Sequence, residues 1–326
     1  MQIKSIYNRN VGPTERVNIS FRKNSDNTPK PVVLVGENGS GKSTVLSNIV
    51  DAFYEMAGKV YNNVRERDGE GYQYYKAILP SEINIGHEFM ISYIEFCESN
   101  KGDTACQYIF KSGKLTYDEF HLETGVELKN KRIWKDEGNL KDIFISKEEI
   151  EKVFEKNIFC YFGPDRYERP QWMGGKYYVS EQDSDMHIMI RNRYNGKLNT
   201  PISVKNVTEE TLKWLLDVIV DSRVDIKKTN NGLQVVHVDV NDALKLNIAR
   251  QNIEKVMGEI LGRDIYFGLN FRSAYGSRFN IFDSQSNKVM IPTLDALSTG
   301  QSALFNMFAT IIRYADSNDI NRSKCE

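Results

Sequence analysis

Residues 36–43 read Gly-Glu-Asn-Gly-Ser-Gly-Lys-Ser, fitting the spacing G-x-x-x-x-G-K-[ST]. The chemistry this pattern offers is the holding of a phosphate chain. Glycines let backbone N–H groups converge on phosphate oxygens with no Cβ in the way. A helix starting at Lys42 would aim its positive end at the same point. In this arrangement Gly36, Asn38, Gly39, Ser40, Gly41, Lys42, Ser43 and Thr44 are the candidate ATP-binding residues. Lys42 would bridge the β- and γ-phosphates and the Ser43 hydroxyl would be a Mg²⁺ ligand. A chance match on a glycine turn is the competing reading. The flanks argue against it, with the apolar run "PVVLVG" before the loop and an amphipathic pattern after it.

A second candidate lies far downstream. Leu297–Gln301 reads "LSTGQ" and leads directly into "SALFNMFATIIRYA". Ser298 and Gly300 ahead of a helix make another N-terminus able to meet an anion. Alone, the stretch reads first as a plain helix cap. A guanine-reading N-K-x-D is absent, and "DGEG" at 68–71 lacks the apolar strand that a GTPase switch would need.

The elements around these residues follow from periodicity. "QIKSIY" and "RVNISFR" alternate as half-buried antiparallel strands, whereas "PVVLVG" is continuous and predicts a fully buried strand. From Lys42 to about Val60, the residues Val45, Leu46, Ile49, Val50, Phe53 and Met56 predict one apolar helical face. "RERDGEG" is a polar loop. "EFMISYIEFC" and "CQYIFKSGKLTY" read as strands, the second with a Ser-Gly turn. Ser146 with Glu149 forms a capping box before a short helix over 145–157, and "NIFCYFGP" then reads as a buried strand. Two strong helical patterns, "TEETLKWLLDVIVDSR" and "NDALKLNIARQNIEKVMGEILG", flank a hairpin with an Asn-Asn-Gly turn. "DIYFGLN", "SRFNIFD" and "KVMIP" are strand-like, and a helix runs from about Gly300 to Tyr314.

Taken together, "GENGSGKST" and "LSTGQ" resemble the ABC-type ATPases, whose signature is L-S-G-G-Q. The resemblance implies an α/β fold: an ABC-type P-loop ATPase head, with a mixed central sheet and an antiparallel β subdomain, plus a mainly helical insert. The expected organisation is 1–165 for the lobe with the P-loop, 166–262 for the insert and 263–326 for the start of the lobe with the signature. The resemblance further implies a homodimer or higher homo-oligomer through an ATP sandwich. Ser298, Thr299, Gly300 and Gln301 of one copy would then cover the γ-phosphate held by another. Thr299 stands where the family has Gly. Within the SMC/RecF/OLD-like branch, the spacing between the two motifs, filled by a largely globular insert rather than a long coiled coil, is similar to the RecF-like and OLD-like ATPases. That branch includes anti-phage ATPases of the Septu type. It implies regulation of a partner effector such as a nuclease. The alternatives are a RecF/SMC-like DNA-binding repair ATPase and an ATP-locked scaffold without turnover.

Hydrolysis also needs a carboxylate for Mg²⁺ and a second acid for the attacking water. In the family these lie on a strand after the signature, which is expected beyond Glu326. Asp217 has helical spacing, and Asp239 precedes the signature. Gln171 is a candidate for the Mg²⁺-sensing glutamine at the end of a core strand. Asp165, Arg166 and Glu168 offer an ion-pair corner, and Trp172, Tyr177 and Tyr178 an insert core or partner surface.

Composition limits the remaining classes. The 326 residues are 40% hydrophobic and 27% charged, with a net charge of −1. This suits a folded chain with a sizeable core and gives no global positive field toward nucleic acid or membrane. Cys97, Cys106, Cys160 and Cys325 show no CxxC spacing, and the four histidines show no metal-ligand spacing. No apolar run approaches the roughly 20 residues of a membrane helix, and the opening reads as a strand rather than a signal peptide. A cytoplasmic protein is expected.

Overall fold

The computed structural model describes residues 1–26, 28–62, 64, 78–97, 104–163, 198, 200, 202–204, 207–221, 225–229, 232–236, 240–269 and 279–323. The predicted "RERDGEG" loop, the Asn-Asn-Gly turn, Asp239, Asp165, Arg166, Glu168, Gln171, Trp172, Tyr177 and Tyr178 lie outside them. The chain divides into two compact units, the first built on Met1–Tyr161 and the second on residues from Ser203 onward. The architecture is mixed α/β, with antiparallel sheets and helices.

In the first unit, β1 (Gln2–Val11) and β2 (Thr14–Ser20) form the predicted hairpin. Its turn needs positive φ at Asn10 (54°) and Gly12 (53°). β3 (Phe89–Cys97), β4 (Thr104–Gly113) and β5 (Leu140–Phe144) complete a five-stranded sheet in the order β2-β1-β3-β4-β5, antiparallel throughout. β3 is buried on both faces, which explains its nearly unbroken apolar run. One face of the sheet carries Ile6, Met90, Ile94, Phe96 and Tyr108 and packs on helix α1 (Lys42–Gly58) and α3 (Lys147–Lys156). The other carries Tyr7, Ile91, Tyr93 and Ile109 and is covered by α2 (Tyr117–Thr124) and Trp134.

Several elements follow directly from local chemistry. Ser146 caps α3 as predicted: its Oγ accepts from Glu149 N–H at 3.3 Å, and the Glu149 carboxylate accepts from Ser146 N–H at 3.1 Å. The Ser-Gly turn ends β4. Gly113 has φ 87°, and a Cβ there would lie 2.1 Å from the Glu88 carbonyl oxygen. Past that turn the structure differs from the strand expected over "KLTY". Thr116 and Glu119 form a second capping box, which starts α2 instead.

Other differences come from tertiary context. The run "PVVLVG" is not a buried strand. None of its residues joins a ladder among the described residues, and Val33 and Val35 are 81% and 90% exposed. Only Leu34 packs on the core. A continuous apolar strand needs neighbours on both edges and both faces, and here one side chain finds them. Residues 157–163 are likewise extended and join no ladder among the described residues. The Tyr161 N–H donates to the Ile202 carbonyl at 2.7 Å, and these residues are half-buried. On α1, Val45, Val50 and Met56 are buried as predicted, but Leu46 is exposed while polar Thr44, Ser47, Asn48 and Asp51 are buried. Lys111, in the middle of β4, is fully buried. Its ammonium donates to the carbonyls of Gly113, Lys135, Asp136 and Gly138 (2.8–3.3 Å) under the ring of Trp134.

The second unit contains the predicted helix α4 (Val207–Asp221), the hairpin β6 (Asp225–Thr229) and β7 (Gly232–Val236), and helix α5 (Val240–Leu261). β8 (Ile265–Leu269), β9 (Phe279–Asp283) and β10 (Val289–Ile291) form an antiparallel sheet in the order β10-β9-β8. Helix α6 (Thr299–Ser323) is longer than predicted. Leu215, Ile219, Ile253, Met257, Phe267, Ile281 and Phe305 make the core. Leu304, Phe308 and Ile311 form an exposed apolar stripe on α6.

Candidate functional site

The phosphate loop is built by φ angles that only glycine adopts cheaply. Gly39 and Gly41 sit at φ 84° and 88°. A Cβ on Gly36 would meet Ser40 Oγ at 2.7 Å, and one on Gly41 would meet Thr14 Oγ1 at 3.0 Å. The Ser40 N–H donates to the Glu37 carbonyl at 3.2 Å, and Gly36–Ser40 are exposed. α1 starts from Gly41 with no side-chain cap and no acidic residue in its first turn. Its leading N–H groups and positive dipole end are thereby left to an incoming anion.

Lys42 crosses back over this loop. Its Nζ donates to the carbonyls of Gly36 (2.7 Å) and Glu37 (2.6 Å), with Ser40 Oγ at 3.5 Å. Two strong bonds fix the ammonium above the loop, and the weak third contact can be exchanged for a phosphate oxygen. Among the described residues no carboxylate pairs with Lys42. The Ser43 side chain is exposed next to it, at the position expected for a Mg²⁺ ligand.

A brace behind the loop was not visible in the sequence. The β1–β2 turn presses Thr14 against Gly41 and Gly12 against Thr44. The turn is itself pinned by segment 82–84: Gly12 N–H to Glu82 O (2.8 Å), Asn84 N–H to Asn10 O (2.9 Å) and Asn84 Nδ2 to Gly12 O (2.9 Å). The far end of α1 is held by charge. Asp51 accepts from Tyr108 Oη and Lys141 Nζ, both at 3.1 Å, and Lys59 pairs with Asp142 at 2.6 Å. Glu55 sits 3.7 Å from Lys141. Burial nevertheless raises its pKa above the usual carboxylate range, with Lys141 opposing and Asp51 adding to the shift.

The downstream motif is a helix cap. The Ser298 N–H donates to Gln301 Oε1 at 3.0 Å, and Gln301 N–H donates to Ser298 Oγ at 3.4 Å. This is a capping box read from S-x-x-Q. Leu297 is buried beneath it, while Ser298, Thr299 and Gly300 are exposed, so Thr299 meets no crowding. The helix behind it is seated by Arg313, buried and 3.2 Å from Glu210, and by Trp214 Nε1 donating to Asp316 at 3.0 Å. Asp217 lies within α4, in line with its helical spacing. The P-loop belongs to the first unit and Ser298–Gln301 to the second.

A family model described as an AAA domain matches residues 5–260, most of the chain and all of the phosphate loop. The chain belongs to the AAA domain family. The loop geometry above is thus that of an AAA-type P-loop ATPase domain. Solved structures similar to this AAA domain include an SMC head bound to the C-terminal winged-helix domain of ScpA. That head is 14% identical, with 95% of this chain and 76% of that chain covered and a TM-score of 0.37. They also include the ATP-bound recombination mediator RecF, 9% identical, with 96% and 80% covered and a TM-score of 0.33. No curated protein matches.

ATP and Mg²⁺ fit the residues present. A Cβ on Gly36 would crowd Ser40 and Lys42 inside the loop, and Lys42 and the uncapped helix end supply positive charge. Lys42 and the N–H groups from Gly39 to Thr44 would hold the phosphates, and Ser43 would hold the metal. A Mg²⁺ ion held there would supply charge neutralisation for the phosphates.

Proposed function

We propose that this AAA domain is an ATP-driven pairing module. ATP·Mg²⁺ occupies Gly36–Thr44 of one copy, and Ser298, Thr299 and Gly300 of a second copy close over the γ-phosphate. The observation that carries this reading is the exposed capping box at Ser298–Gln301. Its Ser298 Oγ accepts from the helix backbone and keeps its own O–H to donate, while Gly300 lets a phosphate approach the helix end closely. Pairing driven by ATP then sets the state of a partner effector, such as a nuclease in anti-phage defence. That output rests on the resemblance of "VLVGENGSGKSTVL" and "YFGPDRYERPQW" to the RecF-like and OLD-like ATPases, which include the Septu type.

Light scattering with added ATP·Mg²⁺ tests the module, with a doubling of molar mass expected. A chain that binds ATP yet stays at its resting mass overturns the pairing reading. For the output, cells carrying the gene with its neighbour should resist phage, and the Lys42→Ala variant should not. Equal plating of both strains would remove the defence role.

A further inference from the structure

The P-loop helix α1 rests on the first sheet through a polar seam, where a helix-on-sheet contact is ordinarily apolar. Thr44, Ser47, Asn48 and Asp51 follow the spacing of one helical face, and none is more than 3% exposed. Two contacts fix where that face points. Thr44 lies against Gly12 at the end of β1, and Asp51 is bonded to Tyr108 on β4 and Lys141 on β5. Asn48, between them, faces the middle of the sheet. There the strand register places Asn8, Ser92, Phe110 and Lys141 in one row across β1, β3, β4 and β5. Asn10 lies two residues further along β1, at the positive φ of the β1–β2 turn, and is buried there. Asn8 and Asn10 are as buried as Asn48.

Five polar atoms of this seam have no hydrogen-bond partner among the described residues: Asn8 Nδ2, Asn10 Nδ2, Ser47 Oγ, and both Nδ2 and Oδ1 of Asn48. Asn8 Oδ1 is already used, accepting from Ser92 Oγ at 2.7 Å. Exchanging the oxygen and nitrogen of Asn48 leaves the count unchanged, because both are unpaired. Five dry atoms of this kind would cost as much as the whole stability of an ordinary domain. Their chemistry also selects what satisfies them. Three amide NH₂ groups repel a cation, and the Asn48 carbonyl oxygen repels an anion. Ser47 Oγ both donates and accepts. A mixed set of donors and acceptors with no net charge suits water, which makes about three hydrogen bonds when buried.

We propose that Asn8, Asn10, Ser47 and Asn48 form an internal water-binding site beneath the phosphate loop, and that this hydrated seam seats α1 on β1 and β3. On α1 the site begins at Ser47, one helical turn behind Ser43, so the bound water is part of the frame that holds the phosphate loop at its working position. The proposal does not depend on pairing of two copies.

Asn48→Leu tests it, because leucine matches the volume and removes both unpaired atoms. If the seam holds water, leucine expels it and strands Asn8 and Asn10, so Tm falls by several degrees. Asn48→Ser keeps room for water and should lose less. A dry seam predicts the reverse order, with Asn48→Leu melting above the wild type, and that result overturns the proposal. Should Asn48→Leu fail to fold, a crystal structure of the wild-type chain at a resolution that shows solvent decides the matter. Water density within hydrogen-bond distance of Asn48 and Asn8 is expected there, and an empty seam in that map also overturns the proposal.

Discussion

Ser298 and Gln301 hold each other in a reciprocal cap at the head of α6, with contacts of 3.0 and 3.4 Å. The same serine thus has a structural task within its own chain and a proposed task toward a second copy. The two separate under substitution. Ser298→Asp retains a side chain that caps well and adds favourable charge at a helix N-terminus, so Tm should hold or rise. It also sets a carboxylate against the γ-phosphate, so ATP-dependent pairing should be lost. Gln301→Ala should do the opposite, costing about 1 kcal/mol of stability with pairing retained at saturating ATP. Parallel melting and light-scattering curves check both. A paired Ser298→Asp protein would leave the motif as a cap alone.

Lys42→Ala should abolish ATP binding while the chain stays folded. Among the described residues, the Nζ contacts are the loop's own carbonyls and Ser40 Oγ. Titration with a fluorescent ATP analogue should show no saturable signal, alongside an unchanged circular dichroism spectrum. Affinity equal to that of the wild type would remove the P-loop assignment.

Gly41→Ala should weaken ATP binding at least tenfold and lower stability by about 1–2 kcal/mol, the cost of a Cβ in the left-handed region. Its φ is 88°, and the added methyl would also press on Thr14 Oγ1 at 3.0 Å. Adding Thr14→Ala relieves the contact and not the backbone strain. Affinity should therefore recover only in part, which calorimetry on the single and double variants can measure.

Glu55 gives a pH dependence with a definite sign. Burial raises its folded pKa above the unfolded value, so the folded chain binds the proton more tightly than the unfolded chain. The stability this contributes is full below the ordinary carboxylate pKa of about 4.3 and is lost as pH rises through the raised value. Once ionised, the carboxylate is a net cost despite Lys141. Glu55→Gln should melt above the wild type at pH 7, with the difference closing toward pH 4. A difference that grows on acidification would contradict the burial argument.

Much of this protein is written in short stretches. The glycines of 36–41, the capping residues Ser146 and Glu149, and the alternation in β1 and β2 each settle a local geometry through contacts a few residues away. Those elements were legible for that reason. Ser298 and Gln301 were legible as a helix start in the same sense. The capping box at Thr116 and Glu119 is equally local, but the apolar run before it has the pattern of a strand.

What only the tertiary structure decided is which faces are covered. Alternating Asn8 and Asn10, the polar stripe Thr44–Ser47–Asn48–Asp51 and the strand lysine Lys111 all have the pattern of solvent-facing positions, yet all are buried. Val33 and Val35 have the pattern of a core strand and are exposed. Backbone conformation is fixed by sterics and hydrogen bonds within a turn or two, and so the sequence by itself determined the phosphate loop, its helix and the downstream cap. Burial depends on which distant segment arrives to pack, so the brace at Thr14 and Gly12, the carbonyl cage around Lys111 and the polar seam under α1 were decided only when the sheet and helix came together.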